Sequence, residues 1–210
     1  MKLQVALDGS LEDSLAVLRA VRECIDIAEI GTPLIFREGL HVAHVLRQEF
    51  PALTILADLK IMDAGEHEAA LAFEAGCDFV TVLGVTQDKT IRGALKAAAD
   101  FGRQVMVDLM QVRNLVPRSR ELLDLGCHCL CVHTAYDLQT LGTSPLADLA
   151  RLRESFPAAS LAVAGGLSPA SLNALKPYHP DIIIVGGAIV TATNPAQVAR
   201  SIRAEMDQIT

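Results

Sequence analysis

Residues 53–63 read LTILADLKIMD. The opening run, Leu53–Ala57, is apolar throughout apart from Thr54, as a strand buried on both faces is. It then stops abruptly at charge, with Asp58, Lys60 and Asp63 following in quick succession. The same event recurs along the chain. Apolar runs at Leu3–Leu7, Asp26–Ile30, Asp78–Leu83, Gln104–Val107, His128–Val132, Ser160–Ala164 and Asp181–Val185 bring the candidate strands to eight. Successive runs start roughly 25 residues apart, the length of one strand–helix unit.

Helical patterns fill the intervals. Glu12–Cys24 sets Leu15, Val17, Leu18 and Val21 at near-helical spacing behind a candidate N-cap, Ser10, with Asp13 three residues on. Ser168-Pro169 and Asn194-Pro195 each read as an N-cap followed by proline at the first helical position. Gly76, Gly102 and Gly126 stand where helices should end. Eight regular units in 210 residues predict a single-domain α/β protein, a closed (β/α)8 TIM barrel spanning 1–210. The repetition reads as architectural, with no underlying sequence repeat.

Composition agrees. Hydrophobic residues make up 51% of the chain and aromatics 4%, so the core must be aliphatic. The net charge of -7 and the lack of a basic run argue against a nucleic-acid partner. No apolar stretch is long enough to span a membrane, and the chain runs from Met1 directly into a strand pattern, so no leader is expected. Five irregularly spaced cysteines suit a reducing cytoplasm better than a disulfide framework. The run Cys127-His128-Cys129-Leu130-Cys131-Val132-His133 resembles a metal cluster, but alternate strand residues climb about 6.6 Å per pair. One tetrahedral zinc cannot collect such ligands, and the cysteines are expected to fill the barrel as small hydrophobes.

In a barrel of this kind the chemistry gathers at the C-terminal ends of the strands. Asp8, Glu29, Asp58, Lys60, Asp108 and His133 all fall there. Asp58 and Lys60, two apart, should point to the same side of an extended chain. The array reads either as a catalytic centre or as a structural ion-pair network at the rim. Glu29 and Asp58, on neighbouring strands about 5 Å apart, could share a hard cation such as Mg²⁺, and Mn²⁺ accepts the same oxygen donors. Taken singly, each acid could equally be a rim residue. Gly165-Gly166 and Gly186-Gly187 follow strands seven and eight, the usual phosphate-binding loops of the fold. His133 is a candidate acid or base near neutral pH, its alternative being a satisfied core histidine.

Leu7-Asp8, Glu29-Ile30-Gly31-Thr32, Asp58-x-Lys60-x-x-Asp63, Gly165-Gly166-Leu167 and Val185-Gly186-Gly187 together resemble the orotidine-monophosphate decarboxylase suprafamily. Within it the chain is most similar to the 3-hexulose-6-phosphate synthases, with the 3-keto-L-gulonate-6-phosphate decarboxylases as sister group. The decarboxylase pattern would place Arg at Ala188 and at Tyr136, Glu at Asp108 and Thr at Ala164, and these departures favour the synthase.

The resemblance implies a homodimer in which Asp63 reaches the partner's site. It implies Mg²⁺ on Glu29 and Asp58, and substrate phosphate on Gly165, Gly166, Gly186 and Gly187. Asp8, Lys60 and His133 match substrate and proton-transfer positions. The expected substrates are D-ribulose 5-phosphate and formaldehyde, joined through an enediolate, with His133 as base and Asp8, Asp63 and Asp108 positioning hydroxyls and holding Lys60. A Schiff-base mechanism on Lys60 is disfavoured, because two neighbouring carboxylates should keep the amine protonated. A sugar-phosphate epimerase and a non-catalytic phosphate-binding protein are the readings from other classes.

Overall fold

The computed structural model describes residues 1–139 and 141–208. Eight parallel strands close in sequence order into a barrel. They are β1 Lys2–Leu7, β2 Ile27–Ile30, β3 Thr54–Ile61, β4 Phe79–Leu83, β5 Gln104–Asp108, β6 Cys129–His133, β7 Ser160–Ala164 and β8 Ile182–Val185. The helices are α1 Leu11–Val21, α2 Thr32–Glu38, α3 His41–Glu49, α4 Gly65–Glu74, α5 Asp88–Phe101, α6 Leu115–Asp124, α7 Tyr136–Gln139, α8 Leu146–Ser155, α9 Gly187–Val190 and α10 Pro195–Asp207. The expected strands thus lie where the apolar runs placed them, with one difference. Strand β3 continues past Ala57 to Ile61, and its register against β4 shifts between those two residues.

Two apolar layers follow from strands buried on both faces. Alternate residues pack outward against the helices, among them Leu3, Val5, Val80, Val82, Val105 and Val107. The others fill the barrel interior: Ile27, Leu56, Phe79, Met106, Cys129, Cys131, Ala162, Ala164, Ile182 and Ile184. Cys129 and Cys131 are free thiols in this plug, as expected of small hydrophobes. Burial drives both thiols away from ionisation, Cys129 up to about 12. The plug closes the barrel from below, so polar groups at its upper end face a cavity floor of hydrocarbon.

The local signals also read through. Ser10 Oγ accepts the Asp13 N–H at 3.1 Å and donates to the Asp13 carboxylate at 2.6 Å. Asn194 caps α10 through the Gln197 N–H at 3.0 Å. Ser168 caps a 3₁₀ helix, Pro169–Tyr178, instead of an α-helix, and Pro177 within it has no N–H to give to an α-helical ladder. Gly76, Gly102 and Gly126 follow α4, α5 and α6 with positive φ.

The N-terminal face of the barrel carries a device that corrects the expectation of no sequence repeat. Arg47-x-x-Phe50-Pro51-Ala52-x-Thr54 recurs as Arg153-x-x-Phe156-Pro157-Ala158-x-Ser160, before β3 and β7 respectively. Arg47 Nη1 donates to the carbonyls of Pro51 and Leu53 at 3.0 and 2.9 Å, and Arg153 Nη1 to those of Pro157 and Ala159, both at 2.9 Å. Each guanidinium then reaches an aspartate ahead of the next strand, Asp78 or Asp181. That carboxylate in turn accepts the N–H of Ile55 (2.8 Å) or Leu161 (2.9 Å). A third copy of the last step joins Arg203, Asp26 and the Leu3 N–H. The repeat escapes a search for periods because it is brief and its matching bonds reach distant positions.

Arg153→Ala should therefore destabilise the fold by about 2–3 kcal/mol, the scale of losing charge-assisted bonds to partly buried carbonyls. Arg153→Lys should recover little of it, because an ammonium cannot reproduce the forked geometry. Urea unfolding of the two variants beside wild type checks this.

Candidate active site

Every strand-end residue singled out from the sequence, apart from Asp63, lies at the C-terminal mouth of the barrel. Glu29 is the penultimate residue of β2, and Asp108 and His133 end β5 and β6. Asp8 directly follows β1. Glu29, Asp58 and Asp108 are buried. Asp58 and Lys60 do face the same space, but not by simple strand alternation. Lys60 has a left-handed backbone, φ 49°, within the register shift of β3. The turn brings its ammonium onto Asp58 Oδ2.

Asp58 is the hub. Thr32 Oγ1 lies 2.7 Å from its carbonyl oxygen and 2.8 Å from Oδ2, sharing one proton between them. Lys60 Nζ also donates to Thr32 Oγ1 at 3.2 Å. Thr81 Oγ1 donates to Asp58 Oδ1 at 2.7 Å. Asp108 Oδ2 meets His133 Nδ1 at 2.7 Å, so Asp108 orients the imidazole and not, as expected, Lys60. The second Asp108 oxygen takes the Met110 N–H at 2.8 Å.

Asp63 stands apart. It is exposed on the loop after β3, and its Oδ1 accepts the Ala64 N–H at 2.7 Å.

The charged groups of the mouth sit in a largely dry setting. Glu29 is pushed up to about 8, first by burial and then by the negative charge of Asp58. Asp8 is raised for the same two reasons. For Lys60 burial is the largest single influence and favours the neutral amine. The charge and hydrogen bond of Asp58, with Asp108 and Glu29 behind it, outweigh that and hold the pKa above its ordinary value. The ammonium form is what a Schiff-base nucleophile must avoid. His133 behaves likewise: burial opposes its charge, but the hydrogen bond and field of Asp108 raise its pKa overall.

Two glycines of the motifs have steric reasons to be glycine. A Cβ on Gly31 would lie 2.0 Å from Asp8 Oδ1 and 2.8 Å from the Leu7 carbonyl, so a side chain there would displace Asp8. Gly165 combines φ +102° with a Cβ position 2.4 Å from the Thr134 carbonyl. Gly166 also has positive φ, whereas Gly187 has open space around it. Gly186 caps the single turn α9, accepting the N–H groups of Ile189 and Val190 at 2.9 and 3.1 Å.

Sequence reasoning missed Thr81 and Gln4 and gave no role to Thr32, although Thr32 stands in the Glu29-Ile30-Gly31-Thr32 motif. Thr81 and Gln4 face the barrel interior from β4 and β1, and Thr32 opens α2. Gln4 Nε2 donates to Glu29 Oε2 at 2.5 Å from below. A glutamine amid the apolar residues of a strand buried on both faces was a usable signal. A threonine in a strand is too common to be one.

Among the described residues no group of three His, Cys, Asp or Glu side chains forms a ready-made metal cage. Glu29 and Asp58 nonetheless offer the donor set Mg²⁺ uses, one or two carboxylates with water and substrate supplying the rest. The fit is electrostatic as well. A buried carboxylate disfavoured as an anion by another beside it is the place where a hard cation is stabilised most.

Comparison with known proteins places this mouth in context. The family model described as orotidine 5'-phosphate decarboxylase / HUMPS family matches residues 1–202. The 3-hexulose-6-phosphate synthase 2 of Staphylococcus saprophyticus is 40% identical over 208 residues, 99% of this chain and 98% of its own. The crystal structure of 3-hexulose-6-phosphate synthase from Salmonella typhimurium matches with a TM-score of 0.98 at 41% identity, over 100% of both chains. A crystal structure of KGPDC from Streptococcus mutans matches with a TM-score of 0.93 at 29% identity, over 99% of this chain and 98% of its own.

The Asp108–His133 contact has a signed pH consequence. Folded His133 holds its proton more tightly than an unfolded histidine, whose pKa is about 6.5. The pair's contribution to stability is therefore complete below about pH 6.5 and fades as pH rises through the folded value. In Asp108→Asn the raising influences are largely removed and burial dominates, so the His133 pKa should fall. NMR titration of the His133 ring protons in both proteins checks the direction.

Proposed function

The chain belongs to the orotidine 5'-phosphate decarboxylase / HUMPS family, and from that premise we propose that it is an aldehyde-lyase joining formaldehyde to D-ribulose 5-phosphate. The product is D-arabino-3-hexulose 6-phosphate, formed through a 1,2-enediolate. The observation that carries the reading is the His133–Asp108 pair at the same mouth as the Lys60–Asp58 pair. A base and a fixed positive charge there act on one small substrate. Relatives near 40% identity that bear the synthase name support the choice of reaction.

The steps follow from the residues. His133 gives its Nδ1 proton to the bond with Asp108, which leaves Nε2 as the acceptor. Nε2 removes a proton from C1 of the ketose, and the electron pair moves onto the C2 oxygen. The Lys60 ammonium, fixed in advance by Asp58 and Thr32, stabilises that oxygen as its charge develops. C1 then attacks the formaldehyde carbon, and the imidazolium returns its proton to the new alkoxide. Asp8, backed by Gly31, accepts hydrogen bonds from substrate hydroxyls. The backbone around Gly165, Gly166, Gly186 and Gly187 holds the phosphate. A divalent cation on Glu29 and Asp58, Mg²⁺ or Mn²⁺, would supply Lewis-acid stabilisation of negative charge on the substrate oxygens.

The working unit in this reading is a homodimer, with Asp63 of each copy completing the site of the other. Its exposure beside the exposed Met62 supports a role outside its own barrel. Among the described residues no helix is long and apolar enough to cross a membrane. The unpaired cysteines suit a reducing cytoplasm.

The test measures formaldehyde loss with ribulose 5-phosphate and Mg²⁺ beside CO2 release from 3-keto-L-gulonate 6-phosphate. EDTA-sensitive formaldehyde loss with little CO2 is expected, and the reverse result would assign the sister reaction. Glu29→Gln should lose Mn²⁺ affinity by about 10–100-fold or more, the cost of disturbing even an outer-shell partner of a metal. His133→Ala should bind Mn²⁺ yet stop C1 proton exchange with solvent.

A further inference from the structure

Strand β3 carries its two functional side chains across a break in its own ladder. Pairing with β4 runs Leu56↔Phe79 and Ala57↔Val80, then resumes at Ile61↔Val82. Four steps along β3 are thus matched by two along β4. Asp58 and Lys60 both lie in the excess, and Lys60 takes the left-handed conformation there. A non-glycine residue so placed costs about 1–2 kcal/mol and persists only where its surroundings hold it.

The residue on β4 opposite this break is Thr81, between the outward-facing Val80 and Val82. Its hydroxyl accepts the Lys60 N–H at 2.9 Å and donates its own proton to Asp58 Oδ1 at 2.7 Å. One buried oxygen therefore takes the place of the missing ladder bond and also fixes one carboxylate oxygen. Thr32 fixes the other, so the Asp58 plane is locked from both sides. Valine would match Thr81 in shape and suit the strand as well, but would supply neither bond.

From this we infer that Thr81 is a positioning residue, its hydroxyl coupling the β3 bulge to the Asp58–Lys60 pair and presetting both groups for reaction. The inference rests on the proposed roles of Asp58 and Lys60 and adds the element that sets their geometry. Thr81 acts through these two side chains and makes no contact with substrate in this scheme. Its loss should register in turnover and not in substrate capture.

The experiment compares Thr81→Val and Thr81→Ser with wild type. Its readouts are kcat and KM for formaldehyde fixation, C1 proton exchange of ribulose 5-phosphate in D2O without formaldehyde, thermal stability, and hydrogen exchange at the Lys60 amide. Thr81→Val should lower kcat and C1 exchange together by about 10–100-fold, the usual effect of removing a supporting hydrogen bond from a metal or catalytic site. KM for ribulose 5-phosphate should stay within about threefold, the Lys60 amide should lose protection, and Thr81→Ser should restore each quantity. A Thr81→Val enzyme with wild-type kcat would overturn the inference. So would Thr81→Ser as impaired as Thr81→Val, because the hydroxyl would then not be the active element. A wild type inert in both assays would overturn the proposed reaction instead. The Lys60 amide would still decide the positioning role, and unchanged exchange in Thr81→Val would overturn it.

Discussion

Four carboxylates share the barrel mouth with one ammonium and one imidazole, and their mutual repulsion is the constraint around which the upper half of the molecule is arranged. Glu29, Asp58 and Asp108 lie in three different strands and Asp8 directly follows a fourth, so they cannot move far apart without opening the barrel. The protein relieves part of the repulsion by pairing. Lys60 sits on Asp58 and His133 on Asp108, and both cations are stabilised in the charged form. Glu29 has no cation of its own and is pushed up to about 8. Excess negative charge at a fixed, mostly dry place would be a defect in a purely structural rim. It is useful where positive charge is to be recruited and charge is to develop on substrate oxygen. The bland reading of this array as a rim network explains the pairs Lys60–Asp58 and Asp108–His133, but gives no reason to bury Glu29.

That cost has to be carried by the rest of the fold, and the two ends of the barrel divide the task. The N-terminal face has the repeated arginine–aspartate clamps, which satisfy strand-end carbonyls and N–H groups. The C-terminal face has left-handed Lys60 and Ala64 and the tight approach of Gly165 to Thr134. Between them lies the aliphatic plug, which keeps water from reaching the acids from below. Stability at the lower end and function at the upper is the division this architecture is known for. Here it is carried by identifiable side chains.

The fold was legible in the sequence because the strands of a closed parallel barrel are apolar throughout and end at charge. The candidate site was legible for the same reason, since Asp8, Glu29, Asp58, Asp108 and His133 stand at or beside the ends of the apolar runs. The rest depended on backbone events that leave no mark on residue type. Nothing in Leu59-Lys60-Ile61 announces a left-handed residue, so β3 read as ending at Ala57 when it continues to Ile61. Thr81 is an ordinary strand residue until the break opposite it gives its hydroxyl two partners. The paired arginine motifs were visible as letters but gained meaning only when Asp78 and Asp181 closed them from about thirty residues away. Asp63 alone was placed by resemblance, and its own chain gives it a neighbouring amide and no site contact.

The four positions by which the sequence resembles the synthases more than the decarboxylases are not scattered. Asp108 is bonded to His133. Ala164 is the register partner of His133 across β6 and β7. Tyr136 opens the helix that follows His133 at once, and Ala188 lies in the turn after β8. Asp108 and Ala164 thus flank one imidazole and Tyr136 stands in the segment just after it, while Lys60, Asp58 and Glu29 belong to the pattern shared by both groups. In the proposed reaction these shared groups would stabilise the enediolate that His133 forms. An arginine in place of Tyr136 would add positive charge in the segment after His133, and like-charge repulsion acts to lower an imidazole pKa. Here, against burial and the charge of Lys60, the hydrogen bond and charge of Asp108 raise the imidazole pKa. In the proposed reaction, a base that retains its proton would leave the carbanion free for longer to meet formaldehyde.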